Sequence, residues 1–337
     1  MSNQITEQYF SYTRTDEYVK EITEALSIKT GFIIEREIFR GQIYDKDKIG
    51  SVIYKGKWKK KPAVLKIQFL KLSVQEVDII EAFNNQNQSQ VVGLPAFYAG
   101  EKWEENTGYG YLICEYIEGE KIYKNWPLKE DEIASFCSFY EEYSRGCLNR
   151  AFWAPVDTET STLVFINRRV SHWLSIAESR GFLTNKEISL TEEFLIVAAQ
   201  AASFAPMSFM HGHLTKDDIF VLPNGDYILM SNLLWSYRPK YYDTTFHIWA
   251  IFQSMSSPDI SSKEVIKHLE EWFNGYLKIK TLAQDSNFKK AFFFNMAERC
   301  IGALLIDINV NQDSQERRGQ LREIFSTLFN YCIKKIN

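Results

Sequence analysis

The spacing of apolar residues changes several times along this chain, and each change marks a different element. Tyr18, Val19, Ile22 and Leu26 recur at near-helical intervals and Gly31 ends the run, which predicts an amphipathic helix within an N-terminal extension, residues 1–30. From residue 31 the period shortens. Segments 32–39, 51–54 and 63–69 are rich in Ile, Val and Phe and read as strands, joined by the loops GQIYDKDKIG and KGKWKKKP. Ser73 followed by Glu76 is a capping-box pattern and predicts a helix to about Phe83, which the polar stretch NNQNQSQ breaks. Segments 95–99 and 109–116 predict two more strands. The expectation for residues 31–118 is a small antiparallel β-rich lobe with one helix.

A connector begins at Glu118-Gly119 and continues through Asn125-Trp126-Pro127. Beyond it the period is mostly 3.6, with helices expected over 130–145, 165–179, 190–204, 245–255, 262–280, 287–305 and 314–335. One stretch, HGHLTKDDIFVLPNGDYILMSNLLWSYRPKYYD, interrupts them. Its two apolar runs, 219–222 and 227–230, flank a Pro-Asn-Gly-Asp turn and predict a hairpin. His211-Gly212 precedes the hairpin and Ser231-Asn232 follows it, so two polar clusters reach one edge of a sheet. The predicted architecture is α+β: the small lobe, then a large helical lobe over 119–337 carrying the hairpin unit 211–232.

Composition narrows the class. The chain has 337 residues, 45% hydrophobic and 15% aromatic, enough for two lobes with substantial cores. A net charge of -4 supplies no global basic field, so no nucleic acid is expected as a partner. The five cysteines are scattered without C-x-x-C spacing, which fits reduced thiols in a cytoplasmic protein. The polar N-terminus lacks an apolar signal region, and no run is long enough to predict a membrane span. His172, His247 and His268 lack metal-ligand spacing. The lysine run KGKWKKK sits at an expected hairpin tip, where solvation is the plain reading and phosphate, RNA or acidic lipid the sharper one.

The order of elements resembles the protein-kinase-like fold, and within it the aminoglycoside/choline phosphotransferase branch, over about residues 31–337. IGSVIYKGKWKKKPAVLKIQ resembles the second and third strands of a kinase small lobe, with Lys66 at the V-A-I-K lysine position. Glu76 matches the helix acid that pairs with that lysine, with Glu81 as competitor; alone, Glu76 reads equally as a capping acid. LICEYIEG resembles the hinge that reads adenine through its backbone, which assigns Glu115 and Ile117 to the nucleotide. HGHLTKDDI lies over H-G-D-x-x-x-x-N, and ILMSN over the segment ending in the metal-binding Asp. Asp243 matches a structural acid. The resemblance implies ATP as cofactor, with magnesium as its counter-ion.

The departures fall on the chemistry. His213 stands where the catalytic Asp is expected, Asp218 where the metal-binding Asn is expected, and Ser231 where the second metal ligand is expected, with Asn232 one residue away. Of the glycine-rich loop Gly50 remains, with Gly41 a second candidate, and Asp45 and Asp47 lie nearby. Magnesium takes hard oxygen ligands, usually one or two carboxylates. Ser231 is neutral, which argues against the metal; Asp218 is the best single metal candidate and equally an Asx-turn cap. Asp217 beside it is expected to point away. His213 is a vestige or, since a neutral imidazole accepts a proton, a base. Carboxylates at 45 and 47 would repel a triphosphate, although Lys46 and Lys48 alternate with them.

Taken together, these residues favour a kinase-fold pseudoenzyme, a pseudokinase with weak or absent nucleotide binding that acts through a protein partner. The alternatives are an active ATP-dependent small-molecule phosphotransferase with rearranged acids, and a scaffold without nucleotide that uses the N-terminal helix and aromatic residues as an interface.

Overall fold

The computed structural model describes residues 14–42, 49–71, 75–123, 129–148, 161–254, 260–310 and 314–337. The described residues form two compact units. One takes in residues 14–120 and Phe220–Leu233; the other takes in 121–148, 161–219 and Leu234–Asn337.

The first unit begins with α1 (Asp16–Thr30), which Gly31 ends in the left-handed conformation at φ 70°, its N–H donating to the Ser27 carbonyl at 3.0 Å. Five antiparallel strands follow: β1 (Ile33–Gln42), β2 (Ile49–Trp58), β3 (Lys61–Gln68), β5 (Phe97–Glu104) and β6 (Tyr109–Glu115), in the order β1-β2-β3-β6-β5. Helix α2 (Glu76–Gln86) and the short β4 (Val92–Gly93) lie between β3 and β5 in sequence. Alternation along β2 and β3 puts Val52, Leu65 and Ile67 into one core, joined by Val19 and Leu26 from α1. Val19 and Leu26 of α1 thus pack on the sheet. α2 ends where Asn87 turns its side-chain amide onto the Val92 carbonyl at 2.6 Å, as the polar stretch there predicts. Ser73 lies outside the described residues.

The lysine run is a hairpin tip, as expected. Lys59 and Lys60 both adopt positive φ, 47° and 68°, in the two-residue turn between β2 and β3. Neither residue type suits that backbone. Replacing the pair with Asn-Gly (Lys59→Asn with Lys60→Gly) should stabilise the first unit by about 1 kcal/mol, read as a shift of the denaturant midpoint at constant slope.

The second unit is mainly helical: α3 (Glu130–Gly146), α4 (Thr162–Ser179), α5 (Asn185–Ala201), α6 (Tyr242–Ser254), α7 (Ser262–Tyr276), α8 (Phe288–Gly302) and α9 (Gln315–Ile336). α8 is its axis. Phe292, Phe293, Phe294, Met296 and Cys300 have no exposed surface, and Asn295, Glu298 and Arg299 are buried with them, so the helix is enclosed on all sides from Ala291 on. It runs into a π-helical turn at Ala303–Asp307. Strand β7 (Met207–Met210) pairs antiparallel with β10 (Ser236–Pro239). The predicted hairpin, β8 (Ile219–Val221) and β9 (Tyr227–Leu229) with Gly225 at φ 89° in its turn, belongs from Phe220 onward to the first unit. Among the described residues no helix is long and apolar enough to cross a membrane.

Candidate functional site

In the second unit the chain leaves β7 at His211. Gly212 adopts φ 74°, which admits glycine and few other residues. A Cβ there would also lie 3.2 Å from the Leu234 carbonyl and 3.3 Å from Arg238 Nε. The turn is fastened from two distant helices. Tyr143 on α3 accepts the His211 N–H at 2.8 Å and donates its hydroxyl to Asp243 Oδ2 at 2.6 Å. The other oxygen of Asp243, in the first turn of α6, accepts the Gly212 N–H at 2.8 Å. Each carboxylate oxygen thus meets a donor. Burial pushes the Asp243 carboxyl up to about 6, even though Tyr143, Gly212, Arg238 and His213 all favour its charged form. His211 is fully buried, edge-on to Trp235. Asp243 and His211 therefore hold the loop. Tyr143 does so too, and its place among the apolar repeats of α3 concealed it in the sequence.

His213 is the exposed member of the loop, with 44% of its side chain accessible. Its ring packs on Phe246 at 4.7 Å, and its Nδ1 stands 3.5 Å from Asp218 Oδ2. That same oxygen accepts the Thr215 N–H at 2.9 Å and the Thr215 hydroxyl at 2.6 Å. Asp218, 3% exposed, thus does the work of an Asx-type cap. Asp217 points elsewhere and pairs with Lys121. Among the described residues no group of three or more His, Cys, Asp or Glu side chains is arranged around a common metal position.

The first unit holds the other named residues. Lys66 on β3 and Glu76, the first residue of α2, form an ion pair at 2.6 Å with 14% and 11% of their side chains exposed. Glu81 is exposed and takes no part in that pair. Lys66, Gln68, Glu76, Glu101 and Tyr111 line a recess beside the pair. The Gly50 carbonyl accepts the Phe69 N–H at 2.9 Å, tying the start of β2 to the end of β3. Gly41 serves a close approach to β2, since a Cβ there would fall 2.6 Å from Ser51 Oγ. Positions 45–48 lie outside the described residues. Glu115 closes β6, its N–H on the Ala96 carbonyl at 2.9 Å, and Ile117 is buried just beyond. Ser231 adopts φ 56°, and the following Asn232 is buried with its amide on the Leu229 carbonyl at 3.2 Å.

One further pair was not legible in the sequence. Arg169 on α4 lies close enough to Arg238 on β10 for its charge to act on that guanidinium. The only hint was an arginine five residues before Asp243, in an aromatic segment.

No family model matches this chain, and no curated protein sequence matches it. Solved structures do. The microcompartment-associated aminopropanol kinase superposes with a TM-score of 0.61 at 11% identity, over 93% of this chain and 97% of its own. The aminoglycoside phosphotransferase APH(4)-Ia gives 0.60 at 11% identity, over 92% and 99%. An ethanolamine kinase of Plasmodium vivax gives 0.57 at 13% identity, over 94% and 86%. Likeness at such identities speaks for the fold alone. The fold of this chain is the kinase-like fold that these solved structures share.

Proposed function

We propose that this chain is an ATP-dependent small-molecule phosphotransferase acting on a hydroxyl acceptor. The observation that carries this reading is the Lys66–Glu76 ion pair, formed at 2.6 Å and largely withdrawn from solvent. Breaking a buried pair is costly, while replacing both members by apolar residues is often neutral, so stability alone gives weak reason to keep it. A lysine held in this way is suited to nucleotide phosphates. The fold, shared with kinases of small amines, supports the same reading.

In the reaction the acceptor oxygen forms a bond to the γ-phosphorus. The bond from that phosphorus to the bridging oxygen breaks, and ADP leaves with the electron pair. The acceptor proton goes to His213. Asp218 beside Nδ1 favours the tautomer with its proton on that nitrogen, which leaves Nε2 to accept. The paired-carboxylate magnesium site that this fold family implies is not matched by the donors present. Ser231 is a neutral hydroxyl, and the Asp218 oxygen is engaged by Thr215. No step is assigned to a metal.

That mismatch favours a second reading, a pseudokinase that has kept the fold and works through a protein partner. ATP consumption separates the two. Incubated with ATP and Mg²⁺ or Mn²⁺, the full chain should form ADP above the blank, and Lys66→Met should lower that rate by about tenfold or more. No ADP, together with a small thermal shift by ATP that ignores the metal, would establish the pseudokinase instead.

A further inference from the structure

The second unit gathers three guanidinium groups in one neighbourhood, one buried and two half-buried, and two of them face acids. Arg299 pairs with Asp307 at 3.0 Å, and its carbon lies 4.1 Å from the Trp249 ring centre. Arg169 stands 3.0 Å from Glu298 and donates to the Tyr242 hydroxyl at 2.9 Å. Arg238 is the third. It extends from β10 along Gly212 and stacks by its guanidinium on Phe165 and Tyr242, at 5.4 and 5.9 Å from the ring centres. It has no ion pair among the described residues, and its Nε is without a hydrogen-bond partner. Of the two acids whose charge reaches it, Glu298 stands against Arg169 and Asp243 has both oxygens engaged by Gly212 and Tyr143. Burial and the charge of Arg169 both push the Arg238 guanidinium toward its neutral form, and Tyr242, Glu298 and Asp243 offset that cost only in part.

The arrangement has the parts of an oxyanion receptor. A guanidinium fork fits carboxylate and phosphate geometry, and aromatic faces hold its plane. The half-buried Arg238 keeps some accessible surface, and the exposed His213 stands one residue beyond the glycine it packs against. We propose that Arg238, supported by Arg169, binds a carboxylate or phosphate group of the small molecule this chain takes, so that the acceptor is a hydroxylated anion. The inference rests on the phosphotransferase reading for the word acceptor and on the arginines alone for the charge. An amine, the class named in the kinases with this fold, would be repelled at that point.

The test is a thermal-shift titration of the full chain with sodium phosphate and, separately, sodium acetate, each against sodium chloride at matched ionic strength. A choline chloride arm supplies a cation. The expected result is a saturable rise in melting temperature with one of the oxyanions and none with choline. The apparent affinity should fall about tenfold or more in Arg238→Gln, fall less in Arg238→Lys, and stay unchanged in Arg168→Gln, an exposed arginine on the same helix as Arg169. An equal rise with chloride, or a rise that survives in Arg238→Gln, overturns the proposal. Should Arg238→Gln fail to fold, phenylglyoxal labelling of the wild type decides: phosphate should slow modification of Arg238, and unslowed labelling overturns the site. The two readings fail separately. ATP-dependent transfer to an uncharged or cationic acceptor without oxyanion binding sinks this inference alone. Oxyanion binding without any ATP turnover sinks the phosphotransferase alone.

Discussion

Asp243→Ala should destabilise the second unit by about 3 kcal/mol. Two buried donors, the Gly212 N–H and the Tyr143 hydroxyl, lose their acceptor, and each such loss costs about 1–3 kcal/mol. Removing a carboxylate that burial already disfavours gives part of that back. The local readout is hydrogen exchange at Gly212, which should speed up about a hundredfold. Protection as in the wild type would mean that the carboxylate does not hold the turn. Asp243→Asn isolates the charge. The folded carboxyl titrates near 6 against an ordinary 3.8, so the folded state binds more protons between those values. Stability from this group is complete below about pH 4 and is lost as pH rises through about 6, a change of about 3 kcal/mol for a shift of about two units. His247, buried and held neutral, works with the opposite sign, since its stability is lost as pH falls below its ordinary value. The difference between wild type and Asp243→Asn cancels that contribution. It should slope across pH 4–6, and a flat difference would contradict the assignment.

His213→Ala should lower phosphoryl transfer by about 100- to 10,000-fold, the usual range for loss of a general base. The side chain is exposed and makes one ring contact and one long approach to Asp218, so a large structural penalty is not expected. Added imidazole should restore part of the rate, because the position is open to solvent. A purely structural role would show the loss without the rescue. Unchanged turnover in the alanine variant would remove His213 from the reaction.

Much of the fold could be read from the sequence because local rules and tertiary packing agree there. Gly31 and the Asn224-Gly225 turn sit where their backbone chemistry puts them. Boundaries moved where polar residues masked an element. β5 runs to Glu104 rather than to 99, because its second half is mostly exposed charge, with Trp103 alone buried. α5 begins at Asn185 rather than at 190, because Thr184 and Glu187 form a capping box ahead of the apolar run. In the site, Lys66 with Glu76 was legible through the resemblance to a kinase small lobe, with Glu81 as competitor. Asp218 was legible as one of two alternatives, and Thr215 gives its carboxylate a capping role. Tyr143 and Arg238 were not legible. Their roles depend on neighbours far away in the chain, and nothing local distinguishes them from core or surface residues.

The tie between Tyr143 and Asp243 joins residues 100 positions apart. Closing so long a span costs chain entropy that only the packing of α3 against its surroundings can offset. The His211–His213 segment therefore cannot take its native shape while it is being assembled locally. Its native shape depends on α3 and α6 both standing in place.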